Sequence, residues 1–237
     1  TRYEVAILPW GATEAHNYHL PYATDTIQCD HIAAEAASRA WSAGAKTIVL
    51  PTVPFGVQTG QLDIPLCLNL NPSTQFAVLS DMVANVEAAG IPRLLVLNGH
   101  GGNDFKQMIR ELQPRTEVFL CTLNWYQVLD PRQWFDEPGD HAGEMETSLM
   151  MHVAPNLVSP LSEAGDGREK SARVAAFREG WAWAPRQWTS VSSDTGVGNP
   201  ARSTPVKGAD FLDALADRIA GFLVELSASD PNNLYGD

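Results

Sequence analysis

Carboxylates and imidazoles fall in three groups along this chain, and each group carries donor types that suit a divalent metal. The first lies in Pro-Trp-Gly-Ala-Thr-Glu-Ala-His-Asn-Tyr-His-Leu-Pro-Tyr-Ala-Thr-Asp, residues 9–25, which holds Glu14, His16, His19 and Asp25. Carboxylate oxygen and imidazole nitrogen together fit a first-row ion such as zinc, manganese or iron. Glu14 and His16 are two residues apart, so on an extended chain they point the same way. Asp25 stands where a helix can begin, and a carboxylate there could bridge two ions. The second group is His100, set in Asn98-Gly99-His100-Gly101-Gly102-Asn103, where backbone at Gly101 and Gly102 can come close to a ligand. The third is Asp140, His141, Glu144 and Glu146. No serine or cysteine sits in a nucleophile-elbow pattern, so nothing supports an acyl-enzyme route. Two ions sharing a carboxylate do have support, since such a pair acidifies a bound water and polarises a carbonyl.

The elements around these groups alternate between strand and helix patterns. An apolar run over 5–8 reads as a buried strand, followed by helical spacing over 26–43 with Gly44 as its stop. A second strand spans 46–53, stopped by Pro51 and Pro54, and residues 55–71 form a long loop of the kind that tends to be functional. A helix over 72–89, a wholly apolar strand at 93–97, the glycine-rich turn, a helix over 104–112 and a strand over 117–123 come next. This order predicts βαβ units in an α/β fold with a mostly parallel sheet, where ligands gather at the carboxyl ends of strands. Residues 124–139 are rich in aromatics, an apolar helical run occupies 149–153, and 168–187 is irregular. Residues 193–208 read as a glycine-rich turn matching neither nucleotide fingerprint. A last helix over 209–226 carries an apolar stripe, and the polar tail after Ser227 is expected to fray. With no linker visible, residues 1–237 read as a single domain.

Composition narrows the partners. Charged residues make up 19% and hydrophobic ones 44%, as in a folded globular chain, and the net charge of −12 disfavours nucleic acid and anionic membrane surfaces. No apolar run approaches membrane-spanning length, and no signal-peptide pattern is present. Cys29, Cys67 and Cys121 are few, widely spaced and without a CxxC pattern, so free thiols and a cytoplasmic setting are expected.

These motifs resemble the creatininase (creatinine amidohydrolase) family. Its Gly-x-x-Glu-x-His-Gly-x-His-Leu-Pro segment and following aspartate are similar to Gly11, Glu14, His16, His19, Leu20, Pro21 and Asp25. Its Asn-Gly-His-Gly-Gly-Asn turn is intact at 98–103, and its His-Ala-Gly-x-x-Glu-Thr-Ser pattern runs from His141 to Ser148 behind Asp140. Its late Gly-Val-x-Gly-x-Pro segment looks like 196–200, with Lys207-Gly208 after it. The resemblance implies a three-layer α/β/α fold with two divalent ions, a homo-oligomer, commonly a hexamer, and hydrolysis of an amide-type C–N bond. Carried over by position, Glu14 and His100 hold one ion, His16 the other, and Asp25 bridges them. Creatininase itself has a further glutamate two residues after the turn histidine, where this chain has Gly102. Glu146 is the nearest replacement and Glu144 the second, and both are equally readable as helix-start carboxylates.

Further roles follow from the same alignment of motifs. His141, with its pKa near working pH, is the candidate proton shuttle, and Asp140 either orients its ring or caps the helix behind it. His19 has no ligand role and is read as a hydrogen-bonding neighbour, while His31 and His152 are structural or exposed. Asn17-Tyr18 replaces the commoner Gly-Pro and places Tyr18 on the pocket wall. Trp134 falls where relatives cover the substrate, with core packing an equal alternative, and residues 125–135 offer apolar surface for assembly. The leading expectation is a metal-dependent hydrolase of a small cyclic amide or formamide. Alternatives are a formamide hydrolase of flavin-type cofactor synthesis, for which Arg168, Lys170 and Arg173 are phosphate-binding candidates, and a peptide-trimming enzyme. A non-catalytic metal-binding assembly subunit is the reading from another class.

Overall fold

Val5–Trp10, the first strand (β1), has both faces buried, as expected of a strand in the middle of a parallel sheet. The structure is a computed structural model that describes residues 2–231 and 233–235. Thr47–Val49 (β2) and Arg93–Asn98 (β3) flank β1 on its two sides, and Phe119–Asn124 (β4) pairs with β3. All three pairings are parallel, in the order β2-β1-β3-β4. The chain therefore runs from β1 outward to β2, then returns to β3 on the other side of β1. That reversal opens a crevice at the carboxyl ends of β1 and β3, the place where open α/β sheets bind ligands.

Alternating side chains divide the sheet into two cores. Val5, Ile7, Leu95 and Leu97 face α1 (Thr24–Ser42), α4 (Glu144–Val153) and α7 (Pro205–Ala228). Ala6, Leu8, Trp10, Leu94 and Val96 face α2 (Pro72–Ala88) and α3 (Phe105–Leu112). Helices thus cover both faces of the sheet. Two one-turn helices, α5 (Ala175–Arg178) and α6 (Trp188–Val191), sit in the long connection before α7.

Several boundaries differ from the sequence reading, each for a local reason. β2 has three residues rather than eight because Pro51 and Pro54 have no N–H for the ladder, although the backbone N–H groups of Leu50 and Val53 still donate to Ile7 and Pro9. Helix α7 begins at Pro205, inside the stretch read as a turn: Thr204 accepts a hydrogen bond from the Lys207 N–H, and proline at the first helical position needs no partner. Helix α4 begins at Glu144, earlier than its apolar run. The aromatic stretch expected to offer assembly surface is core instead. Trp125 and Phe135 are buried, and Tyr126 and Trp134 pack on the same cluster. Asn232, Gly236 and Asp237, part of the tail expected to fray, lie outside the described residues. Among the described residues no helix is long and apolar enough to cross a membrane, and all three cysteines are free.

Helix α7 crosses α4 at Gly208, where an added Cβ would stand 2.0 Å from the Ser148 carbonyl oxygen. At Gly221 in the same helix an added Cβ meets nothing within 4 Å. Gly208→Ala is predicted to destabilise the fold by about 1–3 kcal/mol through overpacking. Gly221→Ala should stabilise it by about 0.5–1 kcal/mol through helix propensity. Urea unfolding of the two variants checks the pair, and equal shifts would show that the helices do not meet as described.

Candidate functional site

Every donor predicted from sequence leaves an element at the crevice end of the sheet. Glu14 and His16 follow β1, Asp25 is in the first turn of α1, His100 follows β3, and Glu146 is in the first turn of α4 with His141 just before it. All six side chains are buried. They fall into overlapping groups with the spacing of metal ligands: Glu14, Asp25 and His100; His16, Asp25 and Glu146; and Glu14, His16 and His141. Asp25 belongs to two of these, with Oδ1 2.9 Å from His16 Nε2 and Oδ2 3.1 Å from His100 Nδ1. Glu14 Oε1 lies 3.0 Å from His100 Nδ1 and 3.7 Å from His141 Nδ1.

Backbone carbonyls fix how the three imidazoles face. His16 Nδ1 donates to the Glu14 carbonyl at 3.1 Å, His100 Nε2 to that of Val57 at 2.9 Å, and His141 Nε2 to that of Ala15 at 2.8 Å. Each ring therefore turns its other nitrogen into the cluster, the tautomer arrangement of metal-ligating histidines. His16 Nε2, His100 Nδ1 and Asp25 Oδ2 are buried and make no properly directed hydrogen bond despite the short separations. The donor set fits divalent ions.

Charge explains the titration behaviour. Burial pushes the Glu146 carboxyl up to about 7, with Asp25 and Glu14 adding to the shift and His16 opposing it. Burial alone would lower His16, but Asp25 and then Glu146 and Glu14 outweigh it and lift the ring to about 10. His100 likewise rises well above its usual value, against burial, through Glu14 and Asp25. Asp25, despite burial, is held well below the carboxylate range by His16 and His100, and Glu14 is lowered by His100 and His141. His141 moves the other way, lowered first by burial and then by His16. The raised histidines and lowered carboxylates are the directions expected of groups that stabilise each other's charge.

Gly102 stands where the resemblance places a further glutamate. An added Cβ there would meet the Val57 carbonyl oxygen at 2.0 Å and His100 Nε2 at 2.5 Å. The carbonyl that orients His100 thus fills the space a side chain would need. Glu146 reaches the His16 and Asp25 group from the opposite wall, its carboxylate also accepting from the Ala142 N–H. Glu144 faces away from the cluster. It is bound by Lys207 Nζ and by the Glu137 N–H at 2.8 Å.

Other predicted residues part company with the site. Asp140 lines the cleft but does not orient His141, nor does it cap α4, whose N-cap is Gly143 with no side-chain cap bond. Neighbours in the stretch that bridges to Val197 point to opposite sides, so Asp140 turns away from the donor cluster and pairs with Arg186 at the cleft. Tyr18 is 63% exposed and its hydroxyl donates to the Ser193 carbonyl, away from the cleft, because left-handed Asn17 (φ 55°) turns the chain outward. Trp134 packs edge-on against Phe211 in the core, and the aromatic cover over the site is Trp188, whose ring centroid lies 4.5 Å from that of His141. Gly101 and Gly102 do line the cleft. His19 is buried with Nε2 2.9 Å from Thr147 Oγ1, and burial, then His16, lowers its pKa to about 4. His31 and His152 are exposed.

Gln61 was not singled out in the sequence. Buried under the cluster, it donates from Nε2 to Glu14 Oε2 at 2.7 Å and accepts at Oε1 from the Ala15 N–H at 2.9 Å. One Glu14 oxygen is thereby occupied and the other left facing the histidines. Only the loop's length pointed to this region; no local pattern marked the residue.

The chain belongs to the creatininase family. The family described as creatinine amidohydrolase matches residues 1–223. Its members are hydrolases. A Bacteroides fragilis NCTC 9343 protein to which creatinine amidohydrolase activity has been provisionally ascribed has a crystal structure similar to this fold. It is 44% identical, with a TM-score of 0.93 over 100% of this chain and 93% of that one. Manganese-bound creatininase shares the fold at 22% identity, with a TM-score of 0.78 over 95% of this chain and 91% of that one. Among curated relatives, the mycofactocin precursor peptide peptidase of Mycobacterium ulcerans (strain Agy99) is 25% identical, covering 90% of this chain and 84% of its own. The creatinine amidohydrolase of Pseudomonas putida is 26% identical, covering 65% of this chain and 66% of its own.

Gly102→Ala should displace the Val57 carbonyl and release the His100 ring. Zinc or manganese affinity is then predicted to fall about 10–100-fold, the usual effect of losing such a supporting contact. Equilibrium dialysis measures it, and unchanged affinity would mean that the carbonyl does not hold His100 for a metal.

Proposed function

We propose that this chain is a metal-dependent amidohydrolase cleaving a C–N amide bond of a small substrate. The reading places one ion among Glu14, Asp25 and His100 and a second among His16, Asp25 and Glu146. The observation that carries it is the convergence of five metal-ligand side chains from four elements, with imidazole nitrogens turned inward by backbone carbonyls. Zinc, manganese or iron bound there would supply Lewis acidity toward a carbonyl oxygen and a water.

The chain's own residues supply the rest. His141 sits at the edge of the cluster with Nε2 bonded to Ala15 and Nδ1 facing inward, placed to carry a proton to the leaving nitrogen. Trp188 covers His141 and limits water on that side. The cleft, about 470 Å³, accommodates a small amide or the end of a peptide.

A small cyclic amide or formamide remains the leading substrate class. Peptide trimming is the second reading, favoured by the relatives that cover 90% of this chain and are named for a precursor peptide. Arg168, Lys170 and Arg173, the phosphate candidates for a flavin-type substrate, are not among the residues lining the cleft. The assembly-subunit reading gains nothing from the geometry, which keeps the candidate ligands together with His141 beside them. Homo-oligomerisation stays part of the proposal. Exposed Phe177, Trp181 and Trp183 are apolar surface it could use. A monomer alone in sedimentation at micromolar concentration would contradict it.

The test is hydrolysis of an amide, lactam and short-peptide panel by the metal-loaded protein. His141→Ala should lose roughly 10²–10⁴ in turnover, the range of general acid–base catalysis, with metal content unchanged. A His141→Ala protein that loses its metal would make His141 a ligand, and one that keeps its turnover would move the proton transfer elsewhere.

A further inference from the structure

One cation faces a cleft that is otherwise acidic. Among the residues lining it, Glu14, Asp25, Asp140 and Glu146 are carboxylates, and Arg186 is the one lysine or arginine. Its guanidinium carbon lies 5.3 Å from the Trp188 ring centroid, and that ring in turn lies 4.5 Å from His141. The guanidinium is thus held one indole away from the proposed proton carrier. Within the described chain only Nη1 makes a hydrogen bond, to Asp140, and the side chain, which lines the cleft, is 45% exposed.

The ion pair is not needed to hold this loop in place. Thr189 donates to Asp63 at 2.6 Å, the Lys170 N–H donates to the Val191 carbonyl at 2.8 Å, and Trp188 packs against His141 at a 45° tilt. An exposed pair such as Arg186–Asp140 contributes little beside these contacts. The unused nitrogens of a planar guanidinium match the two oxygens of a carboxylate. Asp140 already takes up the one positive charge, so what the free nitrogens offer a carboxylate is two directed hydrogen bonds, whereas a phosphate dianion would call for further cations that the cleft does not provide.

We propose that Arg186 is the substrate-recognition residue of this site, binding a carboxylate carried by the amide substrate near the bond that is cleaved. Within the amides of that reading, the substrate is then one that also carries a carboxylate, such as an N-formyl or N-acyl amino acid, a lactam with a carboxylate, or the carboxyl end of a peptide. The proposal rests on the amidohydrolase reading for the bond cleaved, but the binding it describes is measurable without turnover.

The experiment titrates manganese-loaded protein with N-acetyl-leucine and with N-acetyl-leucinamide, followed by tryptophan fluorescence, alongside hydrolysis of both. Wild type is expected to bind the carboxylate at least about tenfold more tightly than the carboxamide. In Arg186→Gln that preference should shrink to about threefold or less, and Arg186→Lys, which keeps the charge but loses the fork, should restore part of it. Metal content reports that each variant is folded at the centre. No preference in wild type, or a preference that survives in Arg186→Gln, overturns the proposal. If neither compound nor any other amide is hydrolysed while the preference behaves as expected, the amidohydrolase reading fails and the carboxylate anchor stands.

Discussion

Three carboxylates, Glu14, Asp25 and Glu146, are buried within reach of one another, and that concentration of negative charge has to be neutralised in place. Removing an ionised carboxylate from water is expensive unless a cation or hydrogen bonds replace the lost hydration. Here the hydrogen bonds are deliberately incomplete. Gln61 takes one Glu14 oxygen and the Ala142 N–H takes one of Glu146, while Asp25 Oδ2 is left without a directed donor. Protons on His16 and His100 can offset the charge in the metal-free chain, and divalent ions would displace them on binding.

The fold serves this constraint by bringing distant segments to one crevice. The order β2-β1-β3-β4 separates the loops after β1 and β3, so Glu14, His16 and His100 meet where the chain reverses direction across the sheet. Helix α1 adds Asp25 from its first turn, and α4 adds Glu146 from the opposite wall. The exchange of a glutamate after the turn for Gly102 belongs to the same geometry. With the Val57 carbonyl pressed against Gly102, a side chain there would have to push that carbonyl aside, and the third carboxylate of the cluster comes from α4.

Much of this was legible in the residues. The apolar runs of β1 and β3, the glycine-rich turn and the spacing of Glu14, His16 and Asp25 already indicate a parallel sheet with a polar centre at its carboxyl end. The choice between Glu146 and Glu144 was not legible, because both occupy the first turn of α4 and only the tertiary partner Lys207 draws Glu144 away. The roles of Trp134, readable as substrate cover or as core, and of Asp140 were not legible for a related reason. Position within a motif shows that an aromatic or acidic side chain is near the site, but the direction it takes depends on Phe211 and Arg186, which come from distant parts of the chain. Gln61, Arg186 and Trp188 lie in loops or single helical turns without periodic pattern, where sequence carries little information about approach.

The central claim is a two-ion centre shared through Asp25. Titrating metal-free protein with manganese or zinc, and counting bound ions by elemental analysis after dialysis, tests it most directly. The account predicts about two ions per chain in the wild type and none retained by Asp25→Ala, since bridging two ions is what that carboxylate is positioned to do. A wild type that binds one ion, or an Asp25→Ala protein that still holds two, would contradict it.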